Sequence, residues 1–133
     1  MATVFVDTSG LYLLLNASDP SNAQARRLWE ELLESEDLLT HNYVVLETAA
    51  LVQRRLGMAA VGDVFGVLAP ALEIRWVDQR LHDAGVATLL AENRRRLSLV
   101  DAVSFIVMRE AGISRAFAFD DDFRAAGFET LAD

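Results

Sequence analysis

Thr3-Val4-Phe5-Val6-Asp7-Thr8-Ser9 decides how the chain is organised. Val4 to Val6 carry no polar interruption, as expected of a strand buried on both faces of a parallel sheet. Asp7 then places a carboxylate at the end of that strand. A charge there is costly unless it is hydrated, caps a helix or holds a cation. Two readings of Asp7 follow: an N-cap for a helix starting at Thr8, or a ligand for a cation.

Composition narrows the chemistry. At 133 residues the chain is expected to be one domain, 1–133, with its own core. The hydrophobic fraction of 53% leaves little material for disordered tails. No basic n-region opens the sequence, and no apolar run approaches the roughly 18 residues of a membrane span, so a cytoplasmic location is expected. Cysteine is absent, which excludes thiolate metal sites and cysteine nucleophiles. All 12 cationic residues are arginine. Schiff-base chemistry, Walker-type phosphate loops and lysine-dependent phosphoaspartate chemistry therefore have no lysine to use. The net charge of −8 opposes nucleic-acid binding unless carboxylates are gathered in one pocket and neutralised. It suits a basic protein partner.

Along the chain, Thr8–Leu15 is expected as a short helix and Asn16–Pro20 as a turn. Ser21 with Gln24 has the spacing of a capping box. Ala25, Leu28, Trp29, Leu32 and Leu33 share one helical face, with Arg26–Glu30 and Arg27–Glu31 pairs on the wet side. Leu38–His41 is a strand candidate, and Asn42 a cap for a helix from Tyr43 to Leu56 that Gly57 stops. A helix over Met58–Leu68 ends before Pro70. Glu73–Val77 alternates as a strand, and Asp78 caps a helix running to about Arg96. Ser98 opens a helix to Glu110. Arg115–Phe119 is a second apolar strand, Asp120–Phe123 a turn, and Phe128–Leu131 a last strand. Strands alternating with helices argue for an α/β three-layer α/β/α sandwich around a mostly parallel sheet. Ligands in such sheets bind at the carboxyl ends of the strands, where Asp7 and Asp120 fall.

Four acids keep apolar company. Asp7 ends the first strand. Glu47 has Tyr43, Val44, Ala50 and Leu51 as its helical neighbours, none charged. Asp101 stands three residues after Ser98, so a capping role competes with a ligand role. Asp120 ends Ala116-Phe117-Ala118-Phe119 as Asp7 ends its own strand, and Asp122 is placed to share its side. No arginine stands beside any of the four in the sequence. Gathered together, such carboxylates require a counter-charge. A hard divalent cation with oxygen ligands, Mg²⁺ or Mn²⁺, is the simplest. His41 and His82 are expected at the surface or a strand edge rather than as ligands.

Val-Phe-Val-Asp-Thr-Ser, Val-Val-Leu-Glu-Thr-Ala, Leu-Ser-Leu-Val-Asp-Ala and Phe-Asp-Asp-Asp-Phe, in this order, resemble the PIN domain of VapC-type toxin ribonucleases in bacterial type II toxin–antitoxin pairs. The resemblance covers nearly the whole chain. It implies a sheet with the first strand at its centre, and Asp7, Glu47, Asp101 and Asp120 as an acidic quartet for Mg²⁺ or Mn²⁺. It implies Asp122 as an auxiliary acid and Ser9 or Thr8 as a polar helper. It further implies a homodimer, an antitoxin over the active site, and products with a 5′-phosphate and a 3′-hydroxyl. Related sequences often carry a hydroxyl residue where this chain has Ala118; Thr8, Ser9 or Ser104 are the candidate substitutes.

The expected activity is therefore metal-dependent endonucleolytic hydrolysis of RNA. Arg94-Arg95-Arg96, the densest cationic cluster, is the expected phosphate contact together with Ser9; Arg26, Arg27, Arg54 and Arg55 are lesser candidates. Competing readings are a housekeeping RNA-processing nuclease, a PIN-like module that binds RNA or protein without cutting, and a metal-dependent phosphatase. The last is disfavoured by the missing lysine and by the lack of Asp-x-Asp after the first strand. The apolar surface of 43–56 and 58–68 is the expected dimer contact.

Overall fold

A computed structural model describes residues 2–131. Five strands, β1 (Thr3–Val6), β2 (Asp37–His41), β3 (Glu73–Arg75), β4 (Arg115–Phe117) and β5 (Glu129–Thr130), form one sheet in the order β3-β2-β1-β4-β5. Every pairing is parallel, so the sheet expected as mostly parallel is wholly so among the described residues. β1 lies at its centre. Val4, Phe5 and Val6 are completely buried, which is what an unbroken apolar run in a central parallel strand requires.

The alternation of side chains assigns the layers. Phe5 pairs with Ala116 and Val6 with Phe117. Phe117 faces Trp29 of α2 (Asn22–Ser35), with ring centroids 5.4 Å apart, and closes on Gly10 of α1 (Thr8–Leu15). A Cβ at Gly10 would lie 2.6 Å from the Phe117 carbonyl oxygen, so α1 sits directly on the sheet only because residue 10 has no side chain. Phe5 points the other way, onto Phe123 of α7 (Asp122–Ala125), which meets Phe105 of α6 (Leu99–Ala111) edge-on at 5.1 Å. α5 (Gln79–Glu92) packs on α6 where Gly85 admits Val103. α3 (Asn42–Arg55) runs from the end of β2 and packs on α1, followed by α4 (Met58–Asp63). These are the three layers.

Several local expectations change. Ser21 precedes α2 but makes no side-chain cap; its N–H donates to Asp19, and Asn22 donates to the Leu13 and Leu14 carbonyls instead. Leu33 is exposed, and neither arginine–glutamate pair of α2 closes to an ion pair. His41, not Asn42, caps α3; the Asn42 side chain accepts from Val77 N–H at 2.6 Å. The helix expected through Leu68 is α at Met58–Asp63, widens to a π turn over Val64–Leu68, and tightens to a 3₁₀ turn over Ala69–Ala71 around Pro70. Trp76 lies beyond β3 and is exposed. α5 ends at Glu92 because Asn93 adopts a left-handed conformation, φ 49°. Among the described residues no helix is long and apolar enough to cross a membrane.

Candidate active site

The carboxyl ends of β1 and β4 and the first turns of α1 and α6 meet α3 around a cleft of about 670 Å³. Asp7, Glu47, Asp101 and Asp120 all line it, so the fold gathers the four acids that stand far apart in sequence. Asp122, at the start of α7, is half-buried and does not line the cleft. Arg94, Arg95 and Arg96 do not line it either. They are exposed on the connection between α5 and α6, and Arg94 pairs with Glu92 at 3.5 Å. Density of arginines along the sequence says nothing about which side of the sheet they occupy. The arginine in the cleft is Arg54, seven residues after Glu47 on the same face of α3. The phase Glu47-Ala50-Leu51-Arg54 is visible in the sequence and was the available signal.

Each aspartate is anchored by the backbone at one oxygen. Oδ2 of Asp7 accepts both the Ser9 N–H at 3.2 Å and the Ser9 hydroxyl at 2.7 Å, capping α1. Oδ2 of Asp101 accepts from Ser98 N–H at 3.5 Å while the Ser98 hydroxyl takes Asp101 N–H, a full capping box. Oδ1 of Asp120 accepts from Asp122 N–H at 3.2 Å. Asp7 and Asp101 are thus helix caps, and in all three aspartates the second oxygen takes no part in these bonds.

The acids also act on one another. Burial, with Asp120 and Asp101 nearby, pushes the Asp7 carboxyl up to about 7 despite its bonds to Ser9. Asp101 is pushed up to about 6, again chiefly by burial, with Asp120 and Asp122 adding to it. Asp120 is raised by burial and by Asp122, Asp121 and Glu47. Six carboxylates, Asp7, Glu47, Asp101, Asp120, Asp121 and Asp122, therefore share one field. Among the described residues, no three acids or histidines converge tightly enough to form a ready-made metal centre. Like charges held at the rim of one cleft stand apart in this way.

The remaining polar candidates separate by role. Ser9 accepts from Phe119 N–H at 2.9 Å, so its hydroxyl joins Asp7 to the end of β4, beside Ala118. Thr8 is buried; it donates to the Val44 carbonyl and accepts from Thr48, tying α1 to α3. Ser104 does not reach the cleft. Its hydroxyl donates to the Val100 carbonyl and lies 2.8 Å from Nε2 of His41. His41, expected near the surface, is completely buried on an interior strand. Its ring is held neutral, pushed down to about 4 by burial and by Arg75. His82 is half-buried, with Nδ1 2.6 Å from the Tyr43 hydroxyl. Asp121 is exposed and pairs with Arg124.

The chain matches the PIN domain family model over residues 4–129. It is 40% identical over 126 residues to the 23S rRNA-specific endonuclease VapC20 of Mycobacterium tuberculosis, covering 94% of this chain and 95% of the relative. The crystal structure of that Sarcin-Ricin loop cleaving toxin superposes with a TM-score of 0.84 at 38% identity, covering 94% of this chain and 95% of that one. VapBC2 from Rickettsia felis, bound to promoter DNA, shares the fold at a TM-score of 0.69 and 11% identity, with 98% of this chain and 97% of that chain covered. With the family model matching nearly the whole chain and a relative 40% identical over 94% of it, the chain belongs to the PIN domain family.

Proposed function

We propose that this protein is a divalent-metal-dependent endoribonuclease that hydrolyses a phosphodiester of ribosomal RNA in a sarcin–ricin-type loop, as the toxin of a toxin–antitoxin pair. The observation that carries the reading is the aspartate trio. Asp7, Asp101 and Asp120 each commit one oxygen to a backbone N–H and keep the other for a shared, arginine-edged cleft. The 40% identity to a 23S rRNA-specific endonuclease over nearly the full chain supports the substrate.

The donor set fits Mg²⁺ or Mn²⁺. It is all oxygen, anionic and without sulfur or a free imidazole. Asp7, Asp101, Asp120 and Glu47 would hold the ion, and Asp122 would add charge from behind. A bound divalent cation supplies Lewis acidity to the phosphodiester and the attacking water, and neutralises charge as it builds on the phosphate. The chain's own contribution is preorganisation. Ser9 fixes the Asp7 rotamer, Ser98 fixes that of Asp101, and the Asp122 amide fixes that of Asp120. Asp7, raised to about 7, holds a proton for much of the time near neutrality and gives it up when the site is loaded. The acidic cleft also suits a basic antitoxin segment. The exposed Leu46, Met58, Phe65 and Val67 on the segments spanning 42–68 are the proposed contact of a homodimer.

The experiment is cleavage of a sarcin–ricin stem–loop RNA with and without Mg²⁺ or Mn²⁺. The wild type cuts at one position, EDTA stops it, and Asp101→Asn lowers the rate by on the order of 100-fold or more while circular dichroism stays native. Cleavage by Asp101→Asn at the wild-type rate overturns the reading.

A further inference from the structure

Resting on the ribonuclease reading above, we propose that Arg54 and Tyr12 form a nucleotide subsite at the cleft's cationic end, which holds an RNA phosphate and its base a few nucleotides from the cut. The cleft is polarised. α3 presents Glu47, Ala50, Leu51 and Arg54 to it along one stripe. Glu47 and Arg54 are seven residues apart, which is about 10 Å along a helix axis. That span is on the scale of a few nucleotides of a nucleic-acid strand.

Arg54 is exposed within the cleft and, among the described residues, makes no ion pair. The acids have not drawn it in. Asp19, the cleft's other acid, already accepts from Ser21 N–H at 2.8 Å. A cation left unpaired beside an anionic cluster is available for an anion brought by the substrate. RNA is that substrate in the reading above, and its strand must cross a protein of net charge −8. Without a local cation the acids that hold the metal would repel the phosphates on either side of the cut. Tyr12 supplies the other half of the subsite. Its half-buried side chain lines the cleft from α1, and the Arg55 guanidinium lies 5.8 Å from the ring centroid, which holds the ring in place. Aromatic rings on such walls stack unpaired bases without regard to sequence.

The test measures binding without cleavage. The affinity of the full chain for a sarcin–ricin stem–loop RNA is read by fluorescence anisotropy in EDTA at several salt concentrations. Arg54→Gln is expected to raise Kd roughly fivefold or more and to flatten the log Kd against log salt slope by about 0.7 to 0.9. Arg54→Lys, which keeps the charge, keeps the slope. Tyr12→Leu raises Kd by roughly fivefold or more with the slope unchanged. Arg95→Gln, on the exposed connection, changes neither. An unaltered Kd and slope in Arg54→Gln overturns the proposal, and so does an equal loss in Arg95→Gln, which would mean diffuse attraction. The ribonuclease reading is judged separately by metal-dependent cleavage in Asp101→Asn, so either can fail while the other stands.

Discussion

The Ser9 hydroxyl lies 2.7 Å from Oδ2 of Asp7 and accepts the Phe119 N–H at 2.9 Å, so one small side chain couples the ends of the two central strands. The hydroxyl has one proton, and it goes to the carboxylate; the backbone amide supplies the other bond. Ser9→Ala removes a charge-directed hydrogen bond worth roughly 1.5–3 kcal/mol and leaves the Phe119 amide without that acceptor. Metal affinity and cleavage are expected to fall by roughly 10-fold, and the acidic limb of the pH–rate profile to move up, because Asp7 loses a contact that lowers its pKa. Ser9→Thr restores the hydroxyl and recovers most of the activity. A pH–rate profile of Ser9→Ala that overlays the wild type removes Ser9 from the site.

Stability without metal should depend on pH in a direction set by Asp7. Burial pushes its folded carboxyl up to about 7 from an ordinary 3.8. The folded state therefore binds more protons than the unfolded one between those values, and stability is lost as pH rises through about 7. Asp101, raised to about 6, adds the same sign over a lower window, lessened by its partial exposure. His41, lowered from 6.5 to about 4, has the opposite sign and offsets part of this loss below pH 6.5. Between pH 6.5 and 8 Asp7 acts with the least opposition, so the metal-free Tm should fall there. Asp7→Asn keeps the N-cap, removes the buried charge, and should flatten that part of the curve while abolishing cleavage. Saturating Mg²⁺ should flatten the wild-type curve as well. Equal slopes for wild type and Asp7→Asn from pH 6.5 to 8 would contradict the assignment.

What the sequence made legible was what sits inside a short window. The strand-to-aspartate step at Asp7 and the Ser98–Asp101 box each need only a few residues, and both are present as expected. Long-range relations were hidden. The Ser9–Phe119 bond spans 110 residues. His41 ends a strand covered on both faces, where burial overrides polarity, and no pattern in Leu38-Leu39-Thr40-His41 announces the Ser104 partner. The Arg94–Arg96 cluster misled because local charge density carries no information about position. Arg54 ranks only as a lesser candidate by density, although its helical phase with Glu47 places it in the cleft.

Two glycines in helices should respond oppositely to alanine. At Gly10 a Cβ would meet the Phe117 ring at 2.5 Å and its carbonyl oxygen at 2.6 Å, and a strand carbonyl in mid-sheet cannot retreat. Gly10→Ala should cost about 1–3 kcal/mol or more, and because Ser9 and Asp7 are adjacent it should lower cleavage too. At Gly62 in α4 nothing lies within 4 Å. Gly62→Ala should leave activity intact and stabilise by about 0.4–1 kcal/mol. Urea denaturation of both variants decides it; equal midpoints would mean that α1 is not seated on the sheet as described.

His41 is where the site's framework can be tested apart from its acids. Ser104 gives its hydroxyl proton to the Val100 carbonyl at 2.8 Å, so it can only accept from His41. Nε2 must then carry the proton, and Nδ1 must be the acceptor facing Val44 N–H at 3.4 Å. The chain from Val44 through His41 and Ser104 to Val100 ties the start of α3, which carries Glu47, to the first turn of α6, which carries Asp101. ¹⁵N NMR should show one neutral Nε2–H tautomer that persists well below pH 6, as a group held near 4 requires. His41→Ala leaves the Ser104 and Val44 ends of the chain unpaired and opens space in the core, at about 2–4 kcal/mol. Its effect on cleavage at a temperature where it remains folded should be mainly on kcat and metal affinity, because it shifts Glu47 relative to Asp101 and leaves Arg54 in place. A ring that titrates near its ordinary pKa, or a His41→Ala variant with wild-type metal affinity, would show that the bridge does not set the spacing of the acids.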